Sequence, residues 1–179
     1  MDGNGQAETT GTTRVLGIDP GLNITGYGVV EFDGRQQITV VEAGVLRGGS
    51  AKKELGQRLI NLQTGLADVI QSLKPTQVAM EELYSHYERP RTAILMGHAR
   101  GVLSLAVAQA GLHVHPYAAT QIKRVLTGNG RAPKSQIQTS ITQLLDLDEV
   151  PEPPDVADAL AIAVCHCFLS LKNTSVLID

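Results

Sequence analysis

The spacing of apolar positions changes along the chain, and the changes mark out its elements. Residues 14–18 (RVLGI) form a short apolar run that stops at Asp19, with Pro20 and Gly21 directly behind it. This reads as a buried strand followed by a tight turn. Gly26 to Phe32 form a second run, and the turn 33-DGR-35 joins it to a third, 38-ITVVEAGVL-46. Leu55, Leu59, Leu62, Leu66, Ile70 and Leu73 then recur at three- and four-residue intervals, which predicts a helix ended by Pro75. The run 77-QVAME-81 is a fourth strand, with a second acid at its end. Residues 92–110 predict a helix with a small-residue face at Gly97 and Gly101, and 112-LHVHPY-117 predicts a fifth strand. A helix over 135–145, the Pro-rich 151-PEPP-154 and an Ala/Leu-rich helix over 155–171 complete the chain. Three hairpin-linked strands followed by strand–helix alternation predict an α/β fold: a mixed five-stranded sheet with helices on both faces.

No repeat or linker divides the pattern, so it predicts one domain over 14–171. Residues 1–13 are polar, lack an apolar stretch and read as a flexible N-terminal tail and not as a secretory signal. Residues 172–179 read as a short C-terminal tail. At 179 residues and 42% apolar content the chain has material for a sizeable core. Aromatics are only 3% and Trp is absent, so that core is built from Leu, Ile, Val and Ala. No apolar run approaches the roughly 18 residues that span a bilayer. Cys165 and Cys167 sit two apart on a predicted helix, where side chains diverge, so a disulfide is not expected and a cytoplasmic location fits.

The net charge is −3, but it is unevenly spread. Between His86 and Gln136 there are seven basic residues and one acid, a local +6 that leaves −9 for the rest. Such a division suits a basic face for nucleic acid beside a gathered set of acids, although a merely solvated face fits the charge equally well. Arg91, Lys123, Arg131 and Lys134 of this segment are the candidate DNA contacts. The stretch 128-GNGRAPKS-135 is also Gly-rich and opens a helix, as a phosphate-binding loop does.

Four acids stand where charge is costly. Asp19 and Glu81 end apolar strands, and Asp155 and Asp158 begin the last helix three residues apart, on one face. Each has an ordinary explanation: Asp19 as a turn former, Glu81 as a solvated acid, Asp155 as a favourable helix-start charge. Together they point to a metal site, because ligands of mixed sheets gather at carboxyl strand ends and clustered carboxylates need a cation. Oxygen-only ligands select a hard ion, Mg²⁺ or Mn²⁺. Two such ions about 4 Å apart serve in-line phosphodiester hydrolysis. Tyr84, three residues past Glu81 in a polar loop, is a candidate platform for stacking on an unpaired base, or else a loop anchor. His113 and His115, and the run Cys165-His166-Cys167, read as structural. Neither GxxxxGK[ST] nor GxGxxG occurs.

The segments 17-GIDPGLNITGYGVV-30, 79-AMEELY-84, 97-GHARGV-102, 133-PKSQIQ-138 and 155-DVADALAIAVCH-166 resemble the RuvC family of bacterial Holliday junction resolvases over nearly the whole chain. The resemblance implies a ribonuclease H-like fold and a homodimeric, Mg²⁺-dependent endonuclease that nicks two strands of like polarity across a four-way DNA junction. It implies catalytic and metal-ligating roles for Asp19, Glu81, Asp155 and Asp158, with two ions per site. It places base stacking on Tyr84, where the family usually has Phe, and DNA contacts on Lys123 and Lys134. Glu82 stands where the family often has Gln. A branch-migration helicase complex is the further partner it suggests. The alternatives are an actin-like nucleotide-binding lobe, for which the chain is about half long enough, and an inactive nucleic-acid-binding module, which four retained acids argue against.

Overall fold

The computed structural model describes residues 12–34, 37–83 and 90–175. In chain order the elements are β1 (Thr13–Asp19), β2 (Ile24–Phe32), β3 (Ile38–Arg47), α1 (Leu55–Leu73), β4 (Gln77–Glu81), α2 (Pro90–Gln109), β5 (Val114–Tyr117), α3 (Ala119–Thr127), α4 (Lys134–Leu144) and α5 (Pro154–Ser175). The five strands form one sheet in the order β3-β2-β1-β4-β5. β1, β2 and β3 pair antiparallel, while β4 runs parallel to both β1 and β5. The mixed five-stranded sheet expected from the pattern is therefore the sheet that forms.

Period-2 alternation divides the apolar side chains between two cores. Leu16, Ile18, Val29, Val78 and Met80 point to one face, where α1 and α2 cover them with Leu62, Leu66, Leu103 and Val107. Val15, Val30 and Ala79 point to the other, under α5, α4 and α3, which contribute Leu160, Ala163, Ile141 and Ile122. Asp19 has the same parity as Val15, and Glu81 the same parity as Ala79, so both acids face the α5 side. None of the helices among the described residues is long and apolar enough to cross a membrane.

Beyond boundary shifts of one or two residues in β1, β2, β3, α2 and α4, three elements differ from the sequence expectation. α3 was not expected: its nine residues present only Ile122, Val125 and Leu126 to the core before Gly128 stops it in a left-handed conformation, φ 75°. β5 begins at Val114 and not at Leu112, because only Val114–Tyr117 have partners on β4, itself just five residues long. α5 runs on to Ser175, past the boundary expected at 171.

Candidate active site

The parallel pairing of β1 with β4 brings two strand ends together. Ile18 pairs with Met80, so the next residues, Asp19 and Glu81, end neighbouring strands side by side. The turn behind Asp19 is held by Thr25, whose hydroxyl donates to the Gly21 carbonyl at 2.7 Å and accepts from the Gly21 amide at 3.2 Å. Buried Arg58 on α1 donates to Asn23 Oδ1 and tethers the same turn from the opposite face. At the end of β4, the amide of the following residue, Glu82, donates to the Tyr117 carbonyl at 2.9 Å, and Arg100 of α2 donates to the Glu81 carbonyl.

The second pair of acids arrives on α5, which lies against a strip of glycines. A methyl group on Gly17 would be 2.7 Å from the Ala163 amide nitrogen, and one on Gly28 would be 2.7 Å from Leu160 Cδ2. Gly17 and Gly28 are paired across β1 and β2, and Gly26 is paired with Asp19. The strip allows the helix backbone to approach the sheet, which sets its first turn, with Asp155 and Asp158, over the strand ends. Sequence reasoning took these glycines as part of a motif and assigned them no role. Their shared parity along two paired strands was the available signal.

The acids are close enough to act on one another electrostatically. Asp19 is pushed up from 3.8 to about 8, first by burial and then by repulsion from Glu81, Asp158 and Asp155, with Lys134 opposing. Glu81 is also raised, by burial and by Asp158, against the opposing pull of Lys123, Lys134 and Arg100. Lys134 Nζ donates to Asp158 Oδ2 at 2.6 Å. Among the described residues no three His, Cys, Asp or Glu side chains are arranged to hold a metal ion as they stand. The donor set nevertheless fits a hard divalent cation: it is all oxygen, and the surroundings of Asp19 oppose its ionisation, which a bound cation would favour.

A cleft of about 230 Å³ opens beside the acids between α3, α4 and α5, with Glu81, Asp158, Lys123 and Lys134 at its edges and Ile122, Ile137 and Ile162 among its walls. Both lysines singled out in the sequence therefore border the acid group. Arg91 and Arg131 are exposed, at the start of α2 and in the turn before α4, and neither lines this cleft. Tyr84 lies outside the described residues. Cys165 and Cys167 are buried and free, with each thiol pushed up to about 12 by burial. His166, buried between them, contacts the Tyr117 hydroxyl through Nδ1 and Gln77 Oε1 through Nε2, each at 2.7 Å. The His115 ring lies 4.6 Å from that of His166, so His115 and His166 belong to one network with Tyr117 and Gln77.

A mixed sheet of this order, with carboxylates at its central strand ends and a covering helix supplying two more, defines the ribonuclease H-like class of fold. Within it, the model of the family described as crossover junction endodeoxyribonuclease RuvC matches residues 15–166, and the chain belongs to that family. The crossover junction endodeoxyribonuclease RuvC of Rhodopirellula baltica is 51% identical over 156 residues, covering 87% of this chain and 86% of that protein. The structure titled T. thermophilus RuvC in complex with Holliday junction substrate superposes with a TM-score of 0.85 at 32% identity, covering 90% of this chain and 97% of that one. The yeast mitochondrial Holliday junction resolvase Ydc2 shares the fold, with a TM-score of 0.63 at 14% identity over 90% of this chain and 82% of that one.

Proposed function

We propose that this chain resolves four-way DNA junctions by metal-dependent phosphodiester hydrolysis, nicking two strands of like polarity. The observation that carries this reading is the convergence of Asp19, Glu81, Asp155 and Asp158 from two adjacent strand ends and one helix start. Membership of the RuvC family and the likeness to a RuvC bound to a Holliday junction support it.

In this reading the four acids hold Mg²⁺, with Mn²⁺ as a substitute and two ions per site. When bound, the ions supply an activated water and charge neutralisation at the leaving oxygen. The chain's own residues do the rest. Asp19 and Glu81, fixed on adjacent strands, set the floor of the site, while Asp155 and Asp158 close it from α5. Lys123 and Lys134 at the cleft edge neutralise phosphates of the strand being cut. Arg91 and Arg131 add basic charge further out, and Tyr84 stacks on a base that the open junction leaves unpaired.

A four-way junction presents two equivalent cut sites, so a twofold dimer with one site per protomer fits the task. α2 offers the surface for it. Ile94 and Leu105 are 63% and 53% exposed, and a methyl on Gly97 or Gly101 would meet nothing within 4 Å, so among the described residues nothing packs on this face of the helix. A cytoplasmic location and cooperation with a branch-migration helicase complex follow from the same family reading.

The test is incubation of a synthetic four-way junction and a linear duplex of the same sequence with the protein and Mg²⁺. Paired symmetric nicks in the junction alone, lost in Asp19→Asn and Glu81→Gln, are expected. Equal cutting of the duplex, or cutting that survives both substitutions, would overturn the reading.

A further inference from the structure

Lys134 is the one basic residue among the described residues that forms an ion pair with an acid of the site. Its ammonium meets Asp158 Oδ2 at 2.6 Å, with the two side chains 55% and 26% exposed. Lys123 borders the same cleft and acts on Glu81 through space, yet it forms no ion pair among the described residues. The two lysines are therefore not equivalent, although sequence reasoning gave them one role.

We propose that Lys134 is an exchangeable internal counter-ion: its ammonium occupies Asp158 until a divalent cation enters the acid group, and it then moves to a phosphate of the bound strand. The inference rests on the reading of the four acids as metal ligands. An Asp158 oxygen committed to an ammonium at hydrogen-bond distance has less to offer a metal ion, so the two cations compete for it. The lysine is suited to losing that competition. Its pair is half exposed, and such pairs are weak, while a divalent ion draws on several carboxylates at once.

Release has somewhere to lead. Lys134 is the first residue of α4, whose first turn contains no acid and no side-chain cap. A freed ammonium there adds to the positive start of the helix, at the edge of the cleft it shares with Lys123. Metal binding would thus convert Lys134 from a partner of protein carboxylate into a partner of DNA phosphate. Linkage makes the effect reciprocal: DNA that captures Lys134 clears Asp158 and tightens metal binding.

The test uses the full chain without DNA. Lysine ammonium groups are followed by ¹⁵N-detected NMR during Mg²⁺ titration, and Mg²⁺ affinity is measured by calorimetry for wild type, K134M, K134R and K123M. The Lys134 signal is expected to carry the slow hydrogen exchange of a paired ammonium in metal-free protein and to lose it at Mg²⁺ saturation. K134M is expected to bind Mg²⁺ about tenfold more tightly than wild type, a difference of about 1.4 kcal/mol, with K134R close to wild type. K123M is expected to change the affinity by less than about threefold, which separates displacement from general charge repulsion. Equal tightening in K123M and K134M, or a Lys134 signal unmoved at saturation, would overturn the exchange while leaving the nuclease reading intact. Absence of Mg²⁺ binding in a wild-type protein that also fails to cut junctions would overturn both.

Discussion

A methyl group placed on Gly26 would lie 2.6 Å from the carbonyl carbon of Asp155, and closer still to its oxygen. Gly26 pairs with Asp19 across β1 and β2. One missing side chain therefore sets the distance between the acid that ends β1 and the helix turn that brings the other two. Gly26→Ala is expected to push the start of α5 off the sheet. The cost to stability is about 1–3 kcal/mol, the usual range for overpacking a tight contact. The cost to cutting is larger, about 100-fold or more, because an ångström of displacement at reacting groups weighs heavily on rate. Urea unfolding and junction-cleavage rates on the same preparation check the split. A rate loss no greater than the lost folded fraction would show that Gly26 serves packing alone.

Asp19 is strained electrostatically in the metal-free protein, and the sign of its effect follows from its raised pKa. A carboxyl that ionises near pH 8 in the fold and near 3.8 in the open chain favours the fold most below pH 4 and least above pH 8. Asp19→Asn removes that loss. The variant is expected to be inactive yet more stable than wild type in EDTA at pH 7, by about 1–2 kcal/mol or roughly 2–8 °C in Tm. The gap should widen from pH 4 to pH 8 and shrink when Mg²⁺ is added to wild type. Thermal melts across that range measure it. A gap independent of both pH and metal would mean that Asp19 is not the residue under strain.

The strand ends were legible in the chain because two constraints coincide there. Period-2 alternation sets the face of Asp19 and of Glu81, and the apolar run before each shows that its strand is buried. What closes the site was not legible. The glycines at 17, 26 and 28 make sense only once β1 is paired with β2 and α5 is laid across both. The pairing of Lys134 with Asp158 joins residues 24 apart on different helices, a relation that local spacing does not encode. α3 escaped for a different reason: nine residues with one fully buried side chain carry too short a period to stand out.

His166 offers a second pH test, of opposite sign. Burial, and secondarily the charge of His115, lower its pKa from 6.5 to about 4. Its neutral ring takes a hydrogen bond from the Tyr117 hydroxyl at Nδ1 and gives one to Gln77 from Nε2. A histidine that resists protonation in the fold contributes fully above pH 6.5, and its contribution falls as the pH drops towards 4. His166→Gln is expected to cost about 1–2 kcal/mol at pH 7, where hydrogen bonds of the neutral ring are lost. Its deficit relative to wild type should narrow between pH 6.5 and 4. Urea midpoints at pH 7.5, 6, 5 and 4 test this, and a deficit constant with pH would place the effect in packing.

The basic residues around the cleft can be ranked by salt. Each lysine or arginine that neutralises a phosphate contributes about one to the slope of log affinity against log salt. Lys123→Ala is expected to lower that slope by about one for a four-way junction in Ca²⁺ or EDTA, where cutting is blocked. Arg91→Ala and Arg131→Ala, outside the cleft, are expected to lower it by less. An unchanged slope for Lys123→Ala would remove it from the DNA contacts.

The exposed face of α2 sets the last prediction. Ile94, Gly97, Gly101 and Leu105 follow one another at three- and four-residue intervals, so they form a single stripe along the helix. Two exposed branched side chains beside two glycines leave an apolar ridge with shallow hollows, a shape that a second copy of the same helix can fill about a twofold axis. Buried in a dimer, Leu105 would be intolerant of charge; exposed in a monomer, it would accept charge at little cost. Leu105→Glu is therefore expected to convert a dimer to a monomer in light scattering while the folded content, by circular dichroism at low concentration, is kept. Cutting should fall with the dimer: isolated protomers would nick one strand and release the junction before the second cut. A supercoiled plasmid carrying an extruded cruciform separates the two outcomes, since paired cuts linearise it and single nicks relax it. A Leu105→Glu protein that stays dimeric and still linearises the plasmid would move the interface elsewhere on the chain.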